Sequence, residues 1–468
     1  MGNEFWKGYT LERHNQLNYS KLEYILFLVA GIGGSMAVNV LSSRPPDDLS
    51  TLDVILINAK YVWLAYTPLA LASGYGVLGY SPREDFHLER RVQSEDYRVI
   101  FQITTRGFNR EAVGRGVRSV LYWAPRYLKD YEVWVVTEED VDKSFFEKLK
   151  EVNEESRRVV KVVYVPRDYR TPNDTRYKAR ALHYAMELRR KLGYDPKKTW
   201  VYLMDEESIV GEDTVLGIID FIENESKKGK LIGQGLIVYS NFWGENRLTS
   251  LADSIRAGDD ITRYKLQAKI GRVINGIHGS HLLYRFDVEE KVGWDFGLVR
   301  AEDTMFGLLV GKYFGSIWGW LKGKLYEQSP FSIKEFIKQR RRWMWGNLDI
   351  LLKKEIELKY KLVVLAKIIS WLSSLPSIVI AYINLVYLTP LPHPLTSIPF
   401  GFSIATLAYL YWEGSKLNLQ PTRRDSIWKR VLNILALPII APLEGISAWY
   451  GLLTYYRSKK IGFEVIRK

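Results

Sequence analysis

Apolar residues gather near the two ends of the chain, whereas the middle is charged and polar. Tyr24 to Leu41 is almost wholly apolar, and Val54 to Leu78 is apolar around a single lysine, Lys60. A run of about 18 or more apolar residues is long enough to cross a bilayer as a helix. The pattern therefore predicts two membrane spans before residue 80. A cleaved signal peptide is the alternative for the first run, but the polar segment before it is too long for a signal sequence.

Glycines in the first run, Gly31, Gly33 and Gly34, predict a face on which another helix packs closely. Three more apolar runs follow near the C-terminus. They are Leu362 to Leu388, Ser397 to Trp412 and Val431 to Tyr456. The first two predict further spans. Prolines at 438 and 442 divide the last run, which predicts a broken or re-entrant segment, with a full span as the alternative.

Cations follow the predicted fourth span, and cytoplasmic loops are enriched in Lys and Arg. They are Lys416, Arg423, Arg424, Lys429 and Arg430. This asymmetry predicts a multi-pass protein of the cell membrane, with the N-terminus, the middle domain and the tail in the cytoplasm. The loops at 42–51 and 389–396 are then outside.

The middle of the chain alternates between short β-branched runs and longer amphipathic ones. The predicted strands are Arg98–Thr104, Glu132–Thr137, Val159–Val165 and Trp200–Asp205, and the helices between them are Arg110–Trp123, Asp142–Asn153 and Arg176–Leu192. This alternation predicts an α/β domain with a parallel, doubly wound sheet. Ligands bind outside the carboxyl ends of such strands, where Thr104, Glu138 and Asp205 are expected. A strand over Leu231–Tyr239 and a long helix over Leu248–Ile270 are predicted further on.

Three consecutive carboxylates, Asp205-Glu206-Glu207, end the fourth strand. On an extended backbone Asp205 and Glu207 point the same way, which suits Mg²⁺ or Mn²⁺ beside a diphosphate. The alternative is an acidic turn that only closes the strand. Lys178 and Arg180 open the preceding helix, where they predict either phosphate contact or a solvated basic turn.

Asp303 stands beside Glu302 where a helix is predicted to begin near Thr304. An Asp at a helix start is commonly an N-cap, but beside a second carboxylate it is also a candidate general base. Phe331 to Trp345 predicts an amphipathic helix that carries Gln339, Arg342 and Trp343. Such a helix either lies at the membrane interface, with Arg on lipid phosphates, or closes one wall of a site, and the two are compatible.

The amino-acid composition excludes several other kinds of catalytic and metal site. The chain has 468 residues, a net charge of +13 and no cysteine, so disulfides, thiolate catalysis and cysteine-bound zinc are excluded. The positive charge fits nucleic acid, anionic lipid or a phosphorylated substrate.

The ordered set of motifs resembles the membrane-bound family 2 glycosyltransferases, and more closely the Egghead-type β-1,4-mannosyltransferases. The motifs are Thr104-x-Arg106-Gly107, Lys178-Ala179-Arg180-Ala181-Leu182, Asp205-Glu206-Glu207, Ala301-Glu302-Asp303, Glu327-Gln328-Ser329-Pro330-Phe331 and Gln339-x-x-Arg342-Trp343. The set covers roughly residues 98 to 350 in unbroken order.

The resemblance implies a GT-A fold, inserted between N-terminal and C-terminal transmembrane helices, that transfers a hexose with inversion. Its implied roles are metal binding for Asp205 and Glu207, and donor binding for Thr104, Arg106, Glu138, Lys178, Arg180 and Asp205. Asp303, with Glu302, is the implied catalytic base, and Gln339, Arg342 and Trp343 line the acceptor and diphosphate side. Where many relatives carry an Asp pair after the second strand, this chain has Thr137-Glu138-Glu139, which leaves the nucleotide open.

The expected divisions follow the chain in order. They are an N-terminal segment (1–21), two spans (22–80), the GT-A domain (81–330), interfacial helices (331–361), the C-terminal membrane region (362–456) and a basic tail (457–468). The expected partners are GDP-mannose, a lipid-linked or glycolipid acceptor and membrane lipids, without nucleic acid. The alternatives are a processive polysaccharide synthase that uses UDP-glucose or another nucleotide sugar, and a membrane scaffold without enzymatic activity.

Overall fold

The structure is a computed structural model that describes residues 3–6, 8–15, 21–43, 45–241, 246–419, 425–457 and 466. The predicted loop cations Arg423 and Arg424, and all of the predicted basic tail except residues 457 and 466, lie outside these residues.

One eight-stranded sheet forms the centre of the middle domain, in the order β3-β2-β1-β4-β7-β6-β8-β5. Its strands are β1 (Arg98–Thr104), β2 (Tyr131–Glu138), β3 (Val160–Val165), β4 (Thr199–Met204), β5 (Ile209–Val210), β6 (Ile232–Asn241), β7 (Leu282–Arg285) and β8 (Trp318–Gln328). β1 to β4 are parallel, and their interior positions are almost wholly buried Val, Ile, Phe, Trp and Tyr. β7 is antiparallel to both β4 and β6, so the prediction of a parallel, doubly wound sheet is right for β1 to β4 and wrong beyond them. β7 starts opposite Gln234, near the start of β6, and runs antiparallel between β4 and β6. The result is a GT-A-like mixed sheet.

Helices cover both faces of this sheet and bracket the chain. Before the sheet they are α1 (Asn3–Trp6), α2 (Leu11–Asn15), α3 (Lys21–Ser42), α4 (Thr51–Ala59), α5 (Thr67–Leu78) and α6 (Pro82–Phe86). Within the domain they are α7 (Arg110–Trp123), α8 (Lys143–Lys150), α9 (Glu154–Val159), α10 (Tyr177–Lys191), α11 (Glu212–Asp220), α12 (Arg247–Ala252), α13 (Ser254–Asp259), α14 (Lys265–Ile270), α15 (Phe286–Val292) and α16 (Glu302–Tyr313). After it they are α17 (Ile333–Leu352), α18 (Leu358–Val386), α19 (Ser397–Leu419), α20 (Ile427–Leu435) and α21 (Leu437–Thr454).

The predicted long helix over Leu248–Ile270 is divided. A π-helical turn, Asp260–Tyr264, separates α13 from α14, and Asp253 separates α12 from α13. A π turn holds one more residue than an α turn and changes the direction in which side chains point. Here the interrupted stretch brings Arg256, Asp259 and Arg263 to the cavity described below.

Three helical stretches are long and apolar enough to cross a membrane: α3, the segment Thr51–Leu78 and α18. α19 forms where a fourth span is predicted, but it is not among these three, and most of its C-terminal half is buried in the protein. α20 and α21 meet at a bend of 52°, so the last apolar run is broken as the prolines predict. Its path relative to a membrane stays a prediction, as does the fourth span.

The glycine face of α3 is narrower than predicted. A β-carbon on Gly31 would lie 2.6 Å from the carbonyl oxygen of Gly401, so the backbones of α3 and α19 touch there. Gly33 and Gly34 have no such neighbour within 4 Å in the described part of the chain. Only Gly31 therefore serves the close approach.

The predicted outer loops lie together at one end of the helices. Lys60 Nζ donates to the carbonyl oxygen of Thr389 at 2.5 Å, and Asn39 Oδ1 accepts from the backbone of Leu391 at 3.2 Å. At the opposite end, Lys21 Nζ donates to the carbonyl oxygen of Leu78 at 2.7 Å, close to where the chain enters the middle domain. The structure thus places the two loops at the same end of the helices, as the sequence predicts. The side of the membrane on which this end lies stays a prediction.

Candidate active site

A cavity of about 780 Å³ opens at the carboxyl ends of β1, β2 and β4 and continues between the apolar helices. All of the predicted site residues except Arg180 line it: Thr104, Arg106, Glu138, Lys178, Asp205, Glu207, Glu302, Asp303, Gln339, Arg342 and Trp343. Arg180 contacts the site through Glu138, to which it donates at 2.7 Å. The sequence therefore predicts the wall of this cavity, although its members are spread over more than 200 residues.

A trio of carboxylates lies beside this cavity. Oxygen atoms of Asp205, Glu207 and Glu327 lie within 4.8 Å of one another. β4 ends at Met204, so Asp205 and Glu207 stand in a turn rather than on extended backbone, and the turn brings their oxygens together. Glu327, near the end of β8, is the third member and has no assigned role in the sequence interpretation. The antiparallel pairing of β8 with β5, which starts two residues after Glu207, brings it here, and Ser208 Oγ donates to it at 3.2 Å. Its sequence signal is the motif Glu327-Gln328-Ser329-Pro330-Phe331.

Glu206, the middle carboxylate, points away from the trio. It accepts hydrogen bonds from Thr105 and Asn109, which follow β1. Burial, together with the neighbouring Glu207, raises the pKa of the Glu206 carboxyl. Glu206 thus fixes the turn after β4 against the turn after β1.

Lys178 lies between the carboxylate trio and the predicted base. Its ammonium group donates to Asp205 Oδ1 at 2.6 Å and to the carbonyl oxygen of Gly279 at 3.1 Å. Burial opposes the charge of Lys178, but the carboxylates of Asp205, Glu302 and Asp303 outweigh burial and raise its pKa. Lys178 is therefore held as a cation between Asp205 and the acidic pair of Glu302 and Asp303.

Asp303 is not the N-cap of its helix. α16 begins at Glu302 with Ala301 as the capping position, so Asp303 stands in the first turn, where its Oδ1 accepts from the Thr304 amide at 2.7 Å. The helix begins two residues before the predicted start. Burial, reinforced by the adjacent Asp303, raises the pKa of Glu302 to about 7. Two adjacent carboxyls that share a partly dehydrated site are a suitable proton acceptor.

The helix α17 faces the protein with most of its arginines. Arg340 donates to Asp253 at 2.7 Å and to Glu444 at 3.0 Å, and Trp343 lies between the guanidinium groups of Arg340 and Arg256 at 4.3 and 4.8 Å. Arg341 and Trp345 are buried as well. The interpretation that this helix places arginines on lipid phosphates is therefore wrong for Arg340 and Arg341, whose partners are protein groups, and Arg342 and Trp343 line the cavity.

A second network holds the segment that carries Asp303. Arg300 donates from its backbone amide and its guanidinium to Asp349 of α17, at 3.1 and 3.3 Å. The hydroxyl of Tyr455, just after α21, donates to the same carboxylate at 2.9 Å. The last apolar helix and α17 thus fix the segment immediately before the acidic pair.

The far wall of the cavity belongs to the apolar helices and carries aromatic and polar groups that the sequence interpretation leaves unassigned. It includes Trp63, Tyr66, Lys367, Ser370, Trp371, Ser374, Ser377, Tyr411 and Glu444. Intramembrane polar residues face bundle interiors or cavities, and this signal is available from the sequence. The cavity therefore joins a carboxylate-rich end to a mixed aromatic and polar end.

Comparisons with known proteins agree with this geometry. The family model described as Glycosyl transferase family group 2 matches residues 200–413. The β-1,4-mannosyltransferase egh of Drosophila melanogaster is 30% identical over 329 residues, which cover 68% of this chain and 69% of that protein. The β-1,4-mannosyltransferase bre-3 of Caenorhabditis briggsae is 28% identical over 316 residues, which cover 66% of this chain and 67% of that protein.

Among solved structures, the chain is similar to the mannosyltransferase PcManGT from Pyrobaculum calidifontis in complex with GDP-Man and Mn²⁺. The TM-score is 0.46 and the identity 13%, and the match covers 85% of this chain and 99% of that one.

The mixed sheet, with carboxylates at its strand ends and an acidic pair across the cavity, is GT-A-like. The chain belongs to the family 2 glycosyltransferases, in the group that contains the Egghead-type β-1,4-mannosyltransferases. It is an enzyme of the mannosyltransferase type.

Proposed function

We propose that the protein is an inverting, metal-dependent mannosyltransferase that moves mannose from GDP-mannose to a lipid-linked or glycolipid acceptor at the cytoplasmic face of the cell membrane. The observation that carries this proposal is a cavity that joins Asp205, Glu207 and Asp303 to helices long and apolar enough to cross a membrane. A soluble acceptor has no need of such a connection. The mannosyl group is proposed because the curated relatives are named mannosyltransferases.

Asp205, Glu207 and Glu327 suit Mg²⁺ or Mn²⁺, because three carboxylates with oxygens within 4.8 Å are the ligands that hard divalent ions prefer. When bound, such an ion supplies charge neutralisation to a departing diphosphate. Three carboxylates leave coordination positions for diphosphate oxygens, so metal and nucleotide should bind together. Thr104, Arg106, Glu138 and Arg180 are proposed to hold the nucleotide.

In the proposed reaction, the oxygen of an acceptor hydroxyl attacks the anomeric carbon of mannose while the bond from that carbon to the diphosphate breaks. The hydroxyl proton passes to Asp303, and the bonding electrons leave with the nucleoside diphosphate. Lys178, held between Asp205 and the acidic pair, would stabilise the charge on the leaving group. Gln339, Arg342 and Trp343 would orient the acceptor. One carboxylate opposite the leaving group suffices for inversion, since no covalent intermediate forms.

Aromatic rings in the membrane part of the cavity favour a second candidate, a processive polysaccharide synthase. Trp63, Tyr66, Trp371 and Tyr411 present ring surfaces of the kind that pack against sugar rings along a glycan path. A processive enzyme would release a ladder of long products, whereas the proposed enzyme adds one sugar.

The test is an assay of the purified full chain with GDP-mannose, UDP-glucose and other nucleotide sugars against lipid-linked and glycolipid acceptors, with and without EDTA. We expect a single mannose transferred from GDP-mannose, and loss of transfer with EDTA. Glu327→Gln should weaken metal-dependent nucleotide binding as we expect Asp205→Asn to do. Glu225→Gln, which removes a partly exposed carboxylate paired with Lys228, should not. Transfer that persists in EDTA would contradict the metal site, and polymer formation from UDP-glucose would favour the second candidate.

A further inference from the structure

A histidine on the cavity wall is hydrogen-bonded to a buried aspartate, and the mechanism above uses neither of them. His278 lines the cavity, and its Nε2 lies 2.8 Å from Oδ1 of Asp260, which is 1% exposed. The other carboxylate oxygen of Asp260 accepts from the backbone amide of Ile237 at 3.0 Å, so the carboxylate is fixed. An ionised carboxylate can only accept, so the proton between the two side chains lies on Nε2. Asp260 therefore sets the tautomer of the imidazole.

The second ring nitrogen of His278, Nδ1, has no hydrogen-bond partner among the described residues. The side chain is 19% exposed, and the surface that it exposes belongs to the cavity. In the neutral ring Nδ1 is an acceptor, because the proton is on Nε2. A fixed acceptor on a cavity wall suits a ligand group that donates a hydrogen bond, such as a sugar hydroxyl.

The π-helical turn between α13 and α14 holds this imidazole on two sides. Asp260 begins the turn and binds the edge of the ring, and Tyr264 ends the turn. The ring of Tyr264 lies 4.3 Å from that of His278, centroid to centroid, with 37° between their planes. Turns of this kind are frequent at functional sites. With its edge and its face both held, the ring of His278 keeps Nδ1 in one direction.

The segment that carries His278 runs from the strand ends to the apolar helices. Ser280 Oγ accepts from the backbone of the turn after β4 at 3.1 Å. Gly279 packs on the proposed base, because a β-carbon there would lie 3.3 Å from Asp303 Oδ2. At the other end of the segment, the carbonyl oxygen of Asn275 accepts from a lysine of α18 at 2.7 Å. His278 is thus one residue beyond the contact with the base, towards the helices that an acceptor held in a membrane would approach.

We propose that His278 Nδ1 binds a hydroxyl of the acceptor sugar, next to the hydroxyl whose proton passes to Asp303. Asp260 is then a positioning residue that maintains the required tautomer. This inference rests on the proposed function and adds a residue to its acceptor site. Two hydrogen bonds from neighbouring hydroxyls, one to Nδ1 and one to Asp303, fix the rotation of the sugar and direct the attacking oxygen towards the anomeric carbon.

Three substitutions separate this role from a structural one. His278→Gln keeps a donor for Asp260 but removes the acceptor at Nδ1, whereas His278→Asn keeps an acceptor near that position but loses the contact with Asp260. In Asp260→Asn, the amide oxygen still accepts from Ile237, while the amide nitrogen donates to Nε2 and moves the ring proton to Nδ1. We expect His278→Gln and Asp260→Asn to weaken acceptor binding about 3- to 10-fold, the value of one neutral hydrogen bond, and His278→Asn to weaken it less.

Direct binding measures this effect independently of turnover. Octyl glycosides of glucose, galactose and mannose are titrated into the full chain in lipid nanodiscs free of sugar detergents, and tryptophan fluorescence reports binding. Transfer kinetics then give the acceptor KM, which should rise by the same factor, and the donor KM, which should stay constant. His87→Gln, which changes a histidine that is 56% exposed, is the matched control. Thermal unfolding compares the stability of all four variants.

A pair with only a structural role predicts the opposite order, because His278→Gln keeps the hydrogen bond to Asp260 and would be the milder change. That order would overturn the proposal, as would equal changes in the donor and acceptor KM, or the failure of every glycoside to bind the unaltered protein. If no glycoside is mannosylated while glycoside binding depends on His278, the proposed function fails and the sugar subsite stands.

Discussion

Asp303 and Glu302 are neighbouring carboxyls in the first turn of α16. Substituting one at a time distinguishes their roles in catalysis. Asp303→Asn keeps the size and the hydrogen bond to the Thr304 amide but removes the proton acceptor. We expect turnover to fall by about 10²–10⁴-fold, as for loss of a general base. Donor binding should remain near that of the unaltered enzyme, because the carboxylate trio and Lys178 are intact. Steady-state kinetics and nucleotide titration measure the two quantities.

Asp287→Asn, a substitution on the surface near the start of α15, is the control for a general effect of losing one carboxylate. Full turnover in Asp303→Asn would remove Asp303 from the mechanism and leave the inverting reaction without a base.

The raised pKa of Glu302 predicts that the rate of transfer depends on pH. Burial, reinforced by Asp303, raises the pKa of Glu302 to about 7, so Glu302 loses its proton near neutral pH. An ionised Glu302 adds negative charge beside the base and favours transfer of the acceptor's proton, so kcat/KM should rise with pH through about 7. Glu302→Gln removes one of the two carboxyls, and the inflection should move to lower pH. A pH–rate profile that keeps its inflection near 7 in this variant would assign it to another group.

The same shift has a consequence for stability. Between about pH 4.5 and pH 7, Glu302 keeps its proton in the folded protein, whereas the unfolded chain, with a carboxyl pKa of 4.5, has already released it. This contribution to the free energy of unfolding is therefore largest below the unfolded value and is lost as pH rises towards about 7.

At the scale of residues, sequence patterns predict well which side chains line the cavity. They predict less well which group each of these side chains contacts. Asp205, Glu207 and Asp303 follow from strand ends and motif order. Glu327 begins one of the ordered motifs, but its place in the trio depends on the long-range pairing of β8 with β5, which no local pattern contains. The separation of Glu206 from its two neighbours depends on a turn that alternation along a strand does not describe.

At the scale of elements, α17 and α21 are joined by a buried ion network. Arg340 is 1% exposed and binds Asp253 and Glu444. Arg340→Met leaves both carboxylates without their cation, and breaking a buried pair in this way costs about 3–5 kcal/mol. Lys338→Met on the same helix removes only a partly exposed pair with Glu335 and should cost at most about 0.5 kcal/mol. Thermal unfolding of the two variants in detergent compares them.

The guanidinium group of Arg340 also packs on the ring of Trp343. A role of Arg340 in positioning Trp343 for the acceptor can therefore be distinguished from a role in stabilising the fold. We expect Arg340→Lys, which keeps the charge but not the planar contact with the ring, to raise the acceptor KM more than the donor KM. Equal changes in both would mean that the network stabilises the fold without orienting the acceptor side.

The sequence predicts best the helices and strands whose apolar residues recur with a clear helical or strand period. β1 and α7 have the predicted bounds, because a β-branched run and an amphipathic stretch with a clear start each specify local structure. The antiparallel β7 and the π turn between α13 and α14 are missed. Strand direction and helix defects are decided by packing partners far along the chain, which a local pattern does not contain.

For the whole molecule, the arrangement of helices makes a prediction about sidedness. The loops near Ser43 and Thr389 lie together, and the chain enters and leaves the middle domain at the other end. The cations that follow α19 in the sequence predict that this other end is cytoplasmic. Because the chain has no cysteine, single cysteines report on each region without background.

Ser43→Cys, Lys227→Cys and Arg457→Cys place thiols in the outer loop, in the middle domain and just after α21. An impermeant maleimide added to whole expressing cells should label only the cysteine at 43, and the other two should react after permeabilisation. The bend of 52° between α20 and α21 fits both a broken span and a segment that returns to its starting side, and we expect the second, which keeps residue 457 in the cytoplasm. Labelling of residue 457 from outside would mean that the bent pair crosses the membrane, and labelling of residue 227 would reverse the whole topology.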